Sequence, residues 1–184
     1  MTEFQSIQGK KVLFLLADGF EGRNFTSLGD CLRQRGADIL VASFNWGDVV
    51  TSKDQGIRVK SVLSFAQAAQ EYYDAVVISD NVIAEAVRGN AAVMTLIEES
   101  WKHGNAVVAI DEGPVALIEA SIVNSEVIAT SPDLYDELKN TGAEISGTPI
   151  SVSDNILTAR SDSDLAVLCN DIVNYLAKGR AAAA

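Results

Sequence analysis

Histidine occurs only once in this chain of 184 residues, cysteine twice and proline three times, and each scarcity removes a class of function. The two cysteines, Cys31 and Cys169, each sit within a helical pattern. They are expected to be buried free thiols behaving as small hydrophobes, and nothing resembles a disulfide framework or a metal-binding pair. Positive charge is also short: 14 Lys and Arg stand against 25 Asp and Glu, for a net charge of -11 and a pI near 4.4. Binding to nucleic acid or to an anionic membrane is therefore disfavoured, and the charge is read as a solubility feature. No apolar run approaches the ~20 residues needed to span a bilayer. Met1 to Gly9 lacks a basic region followed by a long apolar run, so no signal peptide is expected. A reducing cytoplasm fits these features.

What the chain does contain is an ordinary globular mix, 48% hydrophobic and 21% charged. Its length suits one domain, residues 1–180, that buries roughly 70% of its unfolded surface. Residues 181–184, all alanine, are set aside as a disordered tail. No repeat, low-complexity segment or linker interrupts it.

Lys11–Ala17 reads as a buried strand, broken by Asp18-Gly19-Phe20-Glu21-Gly22. A helix from about Asn24 to Arg35 follows, with Gly36 as its C-cap, and then a strand, Ala37–Phe44. This βαβ unit should be right-handed and parallel. Asn45–Leu63 reads as a small antiparallel excursion ending in the alternating Ile57–Leu63, and Phe65–Tyr72 as a short helix. Asp74–Ile78 is a third core strand, ending in Ser79-Asp80-Asn81, and helices follow at roughly Val82–Val87 and Ala91–His103. Past the strand Ala106–Ile110 come a strand at Glu126–Thr130 and a helix from Pro132 to about Asn140. A hairpin at Ile150–Val152 and Ile156–Ala159 follows. A last amphipathic helix, capped by Asp162 or Ser163, runs to about Lys178. Strands alternating with helices call for a three-layer α/β/α sandwich on a mostly parallel, flavodoxin-like sheet.

The stretch Asn105–Ala120, NAVVAIDEGPVALIEA, holds the candidate site. The apolar strand Ala106–Ile110 stops at Asp111 and Glu112, and Gly113-Pro114 lead into a helix. A sharp strand-to-helix turn sets its apex residue at the carboxyl edge of the sheet, where open α/β folds keep their sites. In hydrolases this turn carries a Ser or Cys nucleophile. Here it carries Asp111, a residue type that tolerates a left-handed backbone. Neither cysteine falls at a strand end. His103 precedes the strand, and eight extended residues at about 3.3 Å each place it roughly 25 Å from Asp111. Ser-His and Cys-His arrangements are thereby excluded.

The order of segments resembles the ThiJ/PfpI superfamily, which includes the PfpI-type intracellular proteases and the Parkinsonism-associated chaperone/deglycase and shares the class I glutamine amidotransferase-like fold. KVLFLLADGFE resembles its first strand and acidic loop, with Glu21 at the family glutamate. AVVAIDEGPVALIEA resembles its elbow, usually A-I-C-H/A-G-P, and SPDLYDELKNTGAE with NILTARSDSDL resembles its helix, hairpin and return. The resemblance runs from about Lys10 to Leu176. It implies a homodimer. It also aligns Asp111 with the family's cysteine nucleophile and Glu112 with the histidine that follows it in protease-like members. Ser79-Asp80-Asn81 stands where the family carries a P-G-G oxyanion segment.

The site residues expected are thus Asp111, Glu21 and Glu112, with Ser79, Asp80, Asn81, Gly113 and Arg160 around them. No cofactor is expected and no metal ligand is assigned. Asp111 is expected to accept N–H bonds from the elbow helix while Glu21 approaches it and shares a proton. Arg160 is expected to pair with an acidic neighbour or to line a pocket. Three readings follow: a pseudoenzyme with a binding or stress-related role, possible small-molecule ligands included; a hydrolase or lyase working through the carboxylates; or a protein holding Mg²⁺ or Ca²⁺.

Overall fold

The computed structural model describes residues 5–179. In chain order the elements are β1 (Lys11–Leu15), α1 (Gly22–Gln34), β2 (Asp38–Ser43), β3 (Val49–Thr51), β4 (Arg58–Lys60), β5 (Leu63–Ser64), α2 (Phe65–Ala68) and β6 (Ala75–Ile78). There follow α3 (Asn81–Ala86), α4 (Ala91–Lys102), β7 (Ala106–Ile110), α5 (Pro114–Glu119), β8 (Val127–Ile128) and α6 (Tyr135–Asn140). The chain ends with β9 (Glu144–Ile145), β10 (Ile150–Ser153), β11 (Ile156–Ala159) and α7 (Leu165–Lys178).

The central sheet has the order β10-β11-β7-β6-β1-β2-β5 and is parallel except for β10, which pairs antiparallel with β11. Successive side chains on a strand point to opposite faces, so each central strand feeds two cores. On β1, Val12 and Phe14 pack toward α1 and α7, against Phe25, Leu28, Leu168 and Ile172. Leu13 and Leu15 pack the other way, against Ile83 of α3, Ile97 of α4 and Val115 of α5. The strands β6 and β7 are buried at every position, as strands covered on both faces must be. The three-layer α/β/α sandwich expected from the sequence is the fold observed.

Differences from the sequence reading lie at the margins. The excursion is the antiparallel pair β3–β4, while β5 is a two-residue edge strand beside β2. The segment expected as a further strand, Glu126–Thr130, supplies only the two-residue β8, which pairs with β9 outside the central sheet. The helix read as Phe65–Tyr72 stops at Ala68, one turn held by a capping box between Ser64 and Gln67. Ahead of α7 the chain makes a 3₁₀ turn, Asp162–Asp164, where the side chain of Ser161, not of Asp162 or Ser163, accepts the capping bond from the Ser163 N–H.

The cysteine expectation is overturned. Cys31 of α1 and Cys169 of α7 form a disulfide, with Cα atoms 6.5 Å apart across 138 residues of sequence. Each helix buries its apolar stripe on the same sheet face, so the two lie side by side and their cysteines meet across the contact. With both thiols bonded, cysteine usage no longer points to a reducing compartment. Among the described residues no helix is long and apolar enough to cross a membrane. Residues 181–184, read as a tail, lie outside the described residues.

Candidate functional site

At the carboxyl end of β7 the chain reverses into α5 within three residues, and Asp111 at the apex has φ 59. The turn is fixed by backbone contacts. The Asp111 N–H donates to the Ala159 carbonyl at 2.9 Å, extending the β7–β11 ladder by one bond. The Asp111 carbonyl accepts from Thr130 Oγ1 at 2.8 Å. Gly113 N–H donates back to the Ile110 carbonyl at 2.8 Å. A Cβ on Gly113 would lie 2.8 Å from the carbonyl oxygens of both Ile110 and Ile78, so only glycine lets the turn press against the end of β6. Pro114 then starts α5 at a position that needs no N–H donor.

The side chain at this apex stands in an acidic setting. Burial pushes the Asp111 carboxyl above the usual carboxylate range, and the neighbouring charges of Asp162, Asp80, Glu21 and Asp133 add to the shift. Glu112 is raised as well, first by burial and then by Asp111, Asp133 and Glu85. Among the described residues the Asp111 carboxylate accepts no hydrogen bond and joins no ion pair.

The expected pairing of Asp111 with Glu21 by a shared proton or hydrogen bond is not present. The Glu21 carboxylate faces Lys53 Nζ at 3.2 Å, and an opposite charge on the loop after β3 is a better partner than a second carboxylate. Glu21 nevertheless sits at the N-cap of α1, near enough for its charge to act on Asp111.

Ser79 and Asp80 are spent on structure. Asp80 is 2% exposed; its Oδ1 caps α3 by accepting from Ile83 N–H at 3.0 Å. Its Oδ2 accepts from Ser79 Oγ at 2.8 Å and from Glu21 N–H at 3.1 Å. The Ser79 carbonyl accepts from Asn24 Nδ2 at 2.6 Å. Asp80 thereby locks the end of β6 to the start of α1, and Asn81 is the exposed first residue of α3. Arg160, which follows the residue of β11 paired with Ile110, makes no ion pair among the described residues. Its Nη2 donates to the Ser146 carbonyl at 3.3 Å and its buried Nε has no partner.

Sequence reasoning overlooked three contributors to the site: Lys53, Asp133 and Asp162. Asp162 pairs with Arg23 Nη1 at 3.0 Å and, after burial, heads the causes of the Asp111 shift. The signal for Asp162 was available, because β11 lies beside β7 and parallel strands deliver the residues after them to one edge. Lys53 lies 32 residues from Glu21 in sequence and carries no such mark. Among the described residues no three His, Cys, Asp or Glu side chains converge as metal ligands would. His103 caps the far end of α4, its Nδ1 2.7 Å from the Glu99 carbonyl, and takes no part in the site.

The arrangement is therefore an elbow whose backbone is rigid, with a half-buried carboxyl at its apex, no thiol and no imidazole. Comparison with solved structures finds the same fold in DJ-1beta of Drosophila melanogaster, with TM-score 0.80 and 22% identity over 94% of this chain and 97% of that one. A ThiJ/PfpI domain protein of Brachyspira murdochii gives TM-score 0.84 at 19% identity, covering 93% of this chain and 98% of that one. In sequence, a deglycase of Thermococcus kodakarensis is 30% identical over 166 residues, 90% of this chain and 99% of its own length. Protein/nucleic acid deglycase 2 of Escherichia coli is 26% identical over 91% of this chain and 98% of its own length. The sequence matches the DJ-1/PfpI family over residues 10–175, and the chain belongs to that family.

Proposed function

We propose that this member of the DJ-1/PfpI family performs no cysteine-dependent chemistry and serves as a binding or stress-related pseudoenzyme. One observation carries the reading: the elbow apex is Asp111, while both cysteines are bonded to each other between α1 and α7. A thiolate is what cysteine chemistry requires, and a disulfide on the helical layer supplies none at the turn. Several sequence relatives are named deglycases; at about 30% identity that name extends to this chain as a class of substrate to test, not as an activity. The experiment compares the wild-type protein with Asp111→Asn and Glu21→Gln on a glycated protein and on a metabolite panel. The reading expects no turnover above buffer from any of the three. Asp111→Cys is the companion variant: a thiol that reacts rapidly with an alkylating agent supports an intact elbow, and an inert one counts against it.

A second reading has its own support in the raised carboxyl of Asp111, which accepts no hydrogen bond. A carboxyl whose proton affinity is raised beside other carboxylates suits acid–base or nucleophilic work on a small molecule. Conversion of any substrate that disappears in both Asp111→Asn and Glu21→Gln would establish it and sink the first. The homodimer implied by the resemblance and the cytoplasmic address belong to the proposal too, checked by light scattering and by cell fractionation.

A further inference from the structure

A cavity of about 380 Å³ opens between the carboxyl ends of β1 and β2 and the β3–β4 pair. That volume falls within the range of small-molecule clefts, about 300 to 1,000 Å³. Its walls include Asp18, Ser43, Phe44, Asp48 and Val49, and neither Asp111 nor Glu21 reaches it. Ser43, the last residue of β2, is 1% exposed, and its hydroxyl has no hydrogen-bond partner. A buried hydroxyl left unpaired lowers stability, so a polar atom brought to it by a ligand gains a bond that the free protein lacks.

The rest of the lining specifies which ligand. Asp18 and Asp48 are the charged residues of the wall, no Lys or Arg joins them, and neither takes part in an ion pair among the described residues. Asp18 accepts at Oδ1 from the Thr51 N–H at 2.8 Å, and Asp48 accepts at Oδ2 from the Asn45 N–H at 2.8 Å, with Asn45 Nδ2 a longer donor to Oδ1 at 3.5 Å and Oδ2 at 3.3 Å. Each keeps further acceptor capacity, because an ionised carboxylate offers about four lone-pair sites. Phe44 and Val49, 48% and 46% exposed, form an apolar rim beside them. Two carboxylates repel an anion, and among the described residues no third His, Cys, Asp or Glu completes a metal-ligating group. An ammonium group needs only these acceptors, with the Ser43 Oγ as one of them, and an attached hydrocarbon covers the rim.

We propose that this cavity is a binding site for a small primary amine with an apolar body. The site is separate from the Asp111 elbow and stands whether or not that elbow is catalytic. The test uses phenethylamine, protonated at neutral pH, titrated into the full chain and followed by amide chemical shifts, with 3-phenylpropionate as the near-isosteric anion. The expected result is saturable binding with shifts centred on Ser43–Val49, and affinity for the anion lower by at least about tenfold. Ser43→Ala and Asp48→Asn should each weaken phenethylamine by about threefold or more while the remaining amide spectrum stays that of the folded protein. No saturation by about 20 mM, equal binding of 3-phenylpropionate, shifts centred elsewhere, or full affinity in Ser43→Ala would each overturn the proposal.

Discussion

Asp80→Ala should be among the most destabilising single changes at the carboxyl edge, although Asp80 lies beside the acidic cluster and its charge opposes that of Asp111. The carboxylate accepts three bonds, from Ile83 N–H, Ser79 Oγ and Glu21 N–H, at 2% exposure. Loss of the cap costs about 1 kcal/mol. The Ser79 hydroxyl, fully buried, and the Glu21 N–H, part-buried, are then left without this acceptor, at about 1 to 3 kcal/mol each with the Glu21 N–H at the lower end. Relief of repulsion at Asp111 returns a fraction of that. The expected net loss is about 3 to 5 kcal/mol, a large part of the about 5 to 15 kcal/mol that holds a domain folded. Asp80→Asn should fall between, since the amide oxygen can still cap α3 while its NH₂ faces the Glu21 donor. Urea unfolding at pH 7, read by circular dichroism, gives both values. A loss below about 1 kcal/mol for Asp80→Ala would show that the hydrogen bonds inferred around Asp80 do not carry the junction of β6, α3 and α1.

Three further outcomes are expected. Reduction of the Cys31–Cys169 bond, which closes 138 residues, should lower stability by up to about 5 kcal/mol on the chain-entropy estimate; an unchanged urea midpoint under reductant, or two free thiols titrated in denaturant, would refute the pairing. Gly113→Ala should cost at least about 2 to 3 kcal/mol, because its Cβ meets backbone oxygens that cannot move aside, and an unchanged melting temperature would contradict the elbow packing. Asp111→Asn should raise stability at pH 7, and that gain should shrink as pH falls toward 3.8. The folded-state pKa lies above the ordinary value, so the native state binds more protons in that window and wild-type stability declines as pH rises through it. A variant less stable than wild type at pH 7 would reverse the sign and refute the account of burial and like charge.

The strands were legible because short β-branched runs such as Ala106–Ile110 stand between polar or glycine-rich breaks, and the elbow because Asp-Glu-Gly-Pro interrupts the pattern at its end. Asp80 was legible as a loop acid but not as a cap, although it immediately precedes α3, because Ser-Asp-Asn reads equally as exposed polar loop. The disulfide was hidden for a different reason. Each cysteine lies on an amphipathic helix, but periodicity says only that a face is buried and not which other helix shares it. The Glu21–Lys53 pair was equally hidden, since it depends on where the β3–β4 excursion folds back.

The three constraints that hold the apex are all independent of the side chain at position 111. They are the Asp111 N–H to Ala159, the Thr130 hydroxyl to the Asp111 carbonyl, and the closeness of Gly113 to Ile78 and Ile110. The backbone therefore enforces φ 59 on whatever residue is there, and the side chain only has to tolerate it. Asp does so better than most residues, being able to populate the left-handed region. An elbow built this way can exchange its apex chemistry without refolding. The side chain at the apex sets the electrostatics: Asp111 faces Asp162, Asp80, Glu21 and Asp133, with the nearby cations Lys53 and Arg23 committed to Glu21 and Asp162. Like charge and burial both raise the proton affinity of that acid above the ordinary carboxylate value. No thiol and no imidazole stands with that acid, which is the physical ground for proposing that this elbow performs no cysteine-dependent chemistry.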